Sequence, residues 1–117
     1  MIKSANYKLF IDGASRGNPG KSGAGVHLSL NDEIILNKGF FLGTQTNNSA
    51  EYLALVVGAF FIKKNGAQEA IVQVYSDSQL LVKQMQGLYK VKMPHILKLK
   101  MLARELFGSN QFRFTHI

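Results

Sequence analysis

The sequence has no cysteine, so disulfides and thiolate-ligated metal sites are excluded. Nothing at its start resembles a secretion signal: Met1-Ile2-Lys3-Ser4-Ala5-Asn6 is short and polar. The expectation is a cytoplasmic protein, and the glycosylation-like triplet Asn47-Asn48-Ser49 is then a coincidence. There is no repeat, low-complexity tract or linker. The apolar stretch from Ala50 to Ile62 is too short to span a membrane, so no membrane partner is expected. No Gly-x-Ser-x-Gly elbow is present, which leaves nucleophilic hydrolysis without support. Gly20-Lys21-Ser22 resembles the end of a phosphate-binding loop. However, Ser15 stands where that loop needs glycine, and a strand pattern rather than a helix follows. Acidic residues are also scarce, 7 against 14 lysines and arginines, for a net charge of +7. The resulting pI near 9.8 favours an anionic partner, nucleic acid ahead of membrane. A purely structural basic protein would show the same balance.

What is present is ordinary globular material. With 117 residues and 46% hydrophobic content, residues 1–117 are expected to form one domain with its own core. Leu9-Phe10-Ile11 reads as a central strand buried on both faces. It runs into Asp12, which is expected to open a long turn with five glycines and a proline, Gly13 to Gly25. Val26, Leu28 and Leu30 alternate with His27 and Ser29 as a half-buried strand. Asn31-Asp32 signals a hairpin, and Glu33 to Leu42 continues as a third strand, giving an antiparallel meander. His27 falls on the polar face as a surface histidine. Gly43 to Ser49 reads as a polar turn in which Asn47, Asn48 or Ser49 caps a helix over 50–62. That helix is apolar nearly all round and therefore buried, and Lys63-Lys64-Asn65-Gly66 ends it. Ile71 to Tyr75 is the next strand, placed parallel to the first by a right-handed crossover. A short helix from Leu80 to Gln86 follows. After the basic connection 87–93, Pro94 opens a helix whose apolar stripe is Ile96, Leu99, Ala103 and Leu106. Gln111 to Ile117 alternates as a last strand.

Three carboxylates stand out: Asp12 and Asp77 at strand exits, and Glu51 near a helix start. Each has a plain structural reading. Asp12 could start a turn, Glu51 could favour the helix dipole, and Asp77 could be an N-cap. Together they read differently, because the carboxyl ends of adjacent parallel strands converge on the crevice where open sheets bind ligands. Converging acids repel, and a divalent cation relieves the repulsion. Oxygen-only donors select hard ions, Mg²⁺ first and Mn²⁺ next. Paired ions roughly 3.5–4 Å apart are the usual device for phosphodiester hydrolysis.

The sequence is similar to type 1 ribonuclease H. Three blocks carry the resemblance: Phe10-Ile11-Asp12-Gly13-Ala14-Ser15-Arg16-Gly17-Asn18-Pro19-Gly20, Thr46-Asn47-Asn48-Ser49-Ala50-Glu51 and Tyr75-Ser76-Asp77-Ser78-Gln79. They occur in the family's order across essentially the whole chain. The resemblance implies an α/β fold with a five-stranded mixed sheet, strands 1–3 antiparallel and strands 1, 4 and 5 parallel, with helices on both faces. It also implies a monomer that cuts the RNA strand of an RNA–DNA hybrid. Asp12 would bridge two metal ions, and Glu51 and Asp77 would complete the second site. The backbone from Gly13 through Ala14, Ser15, Arg16 and Gly17 to Asn18, with Asn47, Asn48 and Gln79, would contact the hybrid's minor groove and read the 2′-hydroxyl. Thr46 and Asn18 would help hold a DNA phosphate. The stretch 87–94 looks like the compact members, which lack a tryptophan-bearing basic protrusion, so binding should depend strongly on salt. His116 lies near a histidine that aids product release in some members. In the family a fourth carboxylate sits on a helix after the last strand, and residues 1–117 lack that helix. Two other readings stay open: an inactive ribonuclease H-like module that binds hybrid or duplex RNA, and a basic structural protein with no site.

Overall fold

A computed structural model describes residues 5–66 and 69–117. Alternation sets the first strand, β1 (Asn6–Arg16): Tyr7, Leu9 and Ile11 are buried on one face. β2 (Gly20–Leu30) and β3 (Glu33–Gln45) complete an antiparallel meander. Asn31 and Asp32 have φ of 49° and 69°, the left-handed pair a tight hairpin requires. α1 (Asn47–Lys64) leads to β4 (Ile71–Ser76), which runs parallel to β1. α2 (Gln79–Met85), α3 (Pro94–Phe107) and β5 (Gln111–His116) follow, with β5 parallel to β4. The sheet order is β3-β2-β1-β4-β5, the five-stranded mixed sheet the sequence implied.

The core lies between the sheet and the helices. Val72 and Val74 of β4 join Leu9 beneath Tyr52, Leu55 and Ala59 of α1, and Ile96, Ala103 and Phe107 of α3 close the layer. Burying each such side chain contributes roughly 1.5–3 kcal/mol, so α1, wedged between sheet and α3, is fixed firmly. This is why a helix apolar on nearly every side is stable here. No helix among the described residues is long and apolar enough to cross a membrane.

Several local expectations are corrected. The long glycine turn does not exist. β1 continues through Asp12 to Arg16 and pairs with β2, so Gly23 and Gly25 are strand residues opposite Ala14 and Asp12. The turn is only Gly17 to Pro19. Ladder hydrogen bonds outweigh the weak strand propensity of glycine. The run Leu9-Phe10-Ile11 is buried on one face only. Helices α1, α2 and α3 share the core with Leu9 and Ile11, so among the described residues the helices cover one face of the sheet rather than both, while Phe10 faces the other way and is 40% exposed. There it stacks on Tyr75 at 4.6 Å and meets the edge of His27 at 6.0 Å. β3 runs on to Gln45, and Thr46 caps α1 by accepting from the Ser49 N–H at 3.1 Å. Glu51 therefore lies beyond the first turn and has little dipole role.

Candidate metal centre and nucleic-acid interface

The site forms where two strand partnerships part. The Ile71 N–H bonds the Ala5 carbonyl, so alternate β1 residues from Ala5 direct their backbone groups towards β4. The β1–β4 pairing ends at Ile11 and Ser76. Beyond that point Gly13 and Ser15 would have bare N–H groups. Side chains from α1 take them: Gly13 donates to Glu51 Oε2 at 3.2 Å, and Ser15 donates to Asn47 Oδ1 at 3.1 Å. The start of α1 thus stands in for a missing strand. It also fixes Glu51 beside Asp12, which is next to Gly13 in β1.

Asp77 follows the last residue of β4. It does not cap α2; Ser78 does, accepting from the Leu81 N–H at 3.2 Å. Among the described residues nothing bonds the Asp77 carboxylate. Asp12, Glu51 and Asp77 each present one oxygen within 4.8 Å of the others. All three donors are carboxylates, a set that fits Mg²⁺ or Mn²⁺ and disfavours softer ions. The ring of His116 donates to the Asp77 carbonyl at 3.1 Å and so steadies this loop from β5.

Glu51 is 8% exposed. Burial pushes its carboxyl up to about 7; the Gly13 N–H opposes this, and Asp77 and Asp12 reinforce it. The sign follows from linkage. A group whose pKa is raised on folding favours the fold below its unfolded value and loses that contribution as pH rises through the folded value. The metal-free protein should therefore lose stability between about pH 4.5 and 7, by roughly 3 kcal/mol. Glu51→Gln should remove this slope, making the variant the more stable of the two at pH 8 and equal at pH 4. Urea melts in chelator at both values check this; parallel curves for the two proteins would contradict it.

Across the sheet from Asp12 the strands carry little side chain, while Phe10, His27 and Lys38 rim the same cleft. Asp12 pairs with Gly25, which pairs with Gly39, so two glycines flank it across the sheet. Gly25, expected in the long turn, thus lies in a strand row beside Asp12. Gly13, Ala14, Ser15 and Arg16 lie in β1, and Gly17 and Asn18 in the turn. Thr46, Asn47 and Asn48 open α1, and Gln79 opens α2. Asn18 Oδ1 accepts from the Asn47 N–H at 3.0 Å and locks the turn onto the helix start. Asn48 Oδ1 is buried without a hydrogen-bond partner among the described residues. It borders a cleft of about 470 Å³ with Gln84, Lys90 and Lys92. His95 was not singled out from sequence; its ring lies 3.2 Å from Ser49 Oγ, tying α3 to the cap of α1. A lone exposed histidine gives no sequence signal for such a contact.

Fold and site together define an α/β domain built around a carboxylate cluster suited to hard divalent ions. The chain belongs to the RNase H family, whose model matches residues 4–117. It is 43% identical over 104 residues to the bifunctional protein Rv2228c of Mycobacterium tuberculosis, covering 87% of this chain and 28% of that protein. The N-terminal RNase H domain of Rv2228c, solved as a fusion with maltose binding protein, matches with TM-score 0.88 and 35% identity over 96% of this chain and 86% of that one. Ribonuclease HI of Halobacterium salinarum is 36% identical over 117 residues, 98% of this chain and 58% of that protein. The crystal structure of RNase H1 from H. salinarum matches with TM-score 0.86 and 33% identity over 96% and 85%. LC11-RNase H1, crystallised with an RNA/DNA hybrid, matches with TM-score 0.83 and 34% identity over 95% and 84%. The resemblance to type 1 members is consistent with these matches. This chain spans 28% and 58% of the two curated relatives' lengths.

Proposed function

We propose that this domain is a metal-dependent endonuclease that hydrolyses the RNA strand of RNA–DNA hybrids. The observation that carries the proposal is the convergence of Asp12, Glu51 and Asp77, with oxygens within 4.8 Å, beside a row of bare glycines. These three residues would hold Mg²⁺, with Mn²⁺ as substitute. Ions bound there would supply ionised water and stabilise the leaving oxygen. The chain's own residues position the substrate. The Gly25–Gly39 row admits a sugar–phosphate backbone without steric obstruction. Asn48 Oδ1 offers an acceptor to a 2′-hydroxyl donor, which DNA lacks. The Asn47–Asn18 lock holds the residue 13–18 backbone against the minor groove, Gln79 extends that contact, and Thr46 with Asn18 lies where a phosphate would rest. The hybrid bound by LC11-RNase H1 supports the same substrate class here.

The test is cleavage of labelled substrates in Mg²⁺ and Mn²⁺. RNA within a hybrid should be cut, with DNA duplex and single strands left intact; comparable cutting of DNA duplex would overturn the proposal. Residues 1–117 bring three carboxylates to the centre, where the family resemblance calls for four. Within these residues Asp12 alone would hold the ion that activates the attacking water. Mg²⁺ dehydrates reluctantly and demands regular octahedral ligation, whereas Mn²⁺ binds such oxygen sites more tightly. Cleavage by residues 1–117 should therefore be weak with Mg²⁺ and faster with Mn²⁺, and equal rates would sink that account. The same count keeps a second reading alive: a module that binds hybrid or duplex RNA without cutting. Binding without cleavage in either ion would select it.

A further inference from the structure

At the far end of β1 two cations stand opposite each other. Arg16 pairs with Lys21 across the β1–β2 ladder. Like charges directly opposite on a sheet are destabilising. Among the described residues the one ion pair is Lys8 with Asp32, so neither Arg16 nor Lys21 has a carboxylate partner. Beside them Phe41 of β3 is 79% exposed. It pairs with Gly23, which pairs with Ala14, so small neighbours leave the ring uncovered. Arg16, Lys21 and Phe41 line one cleft of about 360 Å³. An unneutralised cation pair and a bare aromatic ring in one cleft fit a phosphate chain with an exposed base. Aromatic stacking tolerates any base, because every base has a π-face, and cations track the backbone.

We infer that Arg16, Lys21 and Phe41 form an accessory subsite for single-stranded nucleic acid continuing from the hybrid. The cations hold its phosphates and Phe41 stacks on an unpaired base. The inference rests on the proposed function, because it extends the same binding surface. Arg16 lies four residues beyond Asp12 in β1, about 13 Å along the strand. A base inside a duplex has both faces covered by its neighbours, so Phe41 selects a base beyond the duplex end.

The test compares a blunt RNA–DNA hybrid with hybrids carrying a six-nucleotide tail, of RNA or of DNA, at either end. Binding is followed by fluorescence anisotropy in an Asp12→Asn background, so that nothing is cut. One tailed hybrid should bind about tenfold more tightly than the blunt one, and Phe41→Ser should bring that ratio close to one. Phe41→Trp should keep it. Lys21→Gln should lower the salt slope for the tailed hybrid by about 0.7 and leave the blunt slope nearly unchanged. The RNA and DNA arms show which strand supplies the tail. No preference for any tail, or a preference that survives Phe41→Ser, overturns the subsite while binding of the blunt hybrid leaves the proposed function standing. Failure to bind any hybrid overturns both.

Discussion

Asp12→Asn is expected to abolish Mn²⁺ binding and lower hybrid cleavage by about a thousandfold or more, with the fold intact. Asp12 is the carboxylate that sits within a strand, and its oxygen lies within 4.8 Å of those of Glu51 and Asp77. Asparagine keeps the shape and one oxygen but removes the charge on which a hard cation depends. The fold should survive because Asp12 is exposed and its backbone pairing with Gly25 does not involve the side chain. Removing one of three mutually repelling acids should even raise the melting temperature of the metal-free protein slightly. Metal added to the unsubstituted chain should raise it further, by mass action on the native state. Titration calorimetry with Mn²⁺, beside thermal melts with and without metal, reads both effects. Unchanged Mn²⁺ affinity in Asp12→Asn would remove Asp12 from the centre. The absence of any metal-dependent stabilisation in the unsubstituted chain would favour a basic structural protein with no site.

The second large effect is expected at Gly13. A Cβ there would stand 2.3 Å from the Ala50 carbonyl carbon and 2.4 Å from the Glu51 nitrogen. Both are backbone atoms of α1, so no rotamer change relieves the contact. Gly13→Ala must push β1 and α1 apart, breaking the Gly13–Glu51 hydrogen bond and separating the carboxylates. Overpacking between backbones should cost about 3 kcal/mol or more. Gly58→Ala is the useful comparison. Its Cβ would meet the Leu9 side chain at 2.6 Å, a group that can shift at smaller cost and lies away from the carboxylates. Both variants should lower the urea midpoint, but only Gly13→Ala should lose Mn²⁺ affinity in the protein that remains folded. A Gly13→Ala protein with unaltered midpoint and affinity would show that the close approach is not what sets the site.

Much of this was legible from local pattern. The Asn31-Asp32 hairpin, the Pro94 helix start and the Lys63-to-Gly66 helix stop each depend on a few neighbouring residues. They lie where those residues place them. What was misread depends on partners distant in sequence. Gly20, Gly23 and Gly25 are turn formers by propensity, yet the register that sets Asp12 against Gly25 draws two of them into a ladder and makes Gly20 its first residue. Phe10 looked buried because its neighbours are apolar; which face the helices take decides its exposure, and no local pattern states that. The α1 cap lies at Thr46, just before the three candidates Asn47, Asn48 and Ser49, because several adjacent residues could serve and only backbone direction selects one. That Ser78 rather than Asp77 caps α2 removes the plain structural reading of Asp77 and leaves its carboxylate available to a metal. The facing of Arg16 and Lys21 was hidden behind the supposed long turn.

The substitution of α1 side chains for a strand beside Gly13 and Ser15 has a consequence for the protein's behaviour in a crowded solution. An open strand edge with free N–H groups is a template on which another chain can add, and such addition is how folded domains seed aggregates. Here the exposed end of β1 has two of its donors occupied by Glu51 and Asn47. The side chains that shape the carboxylate crevice therefore also deny that edge to strands of other molecules. A binding cleft open enough for a nucleic acid is thus kept from becoming a site of self-association.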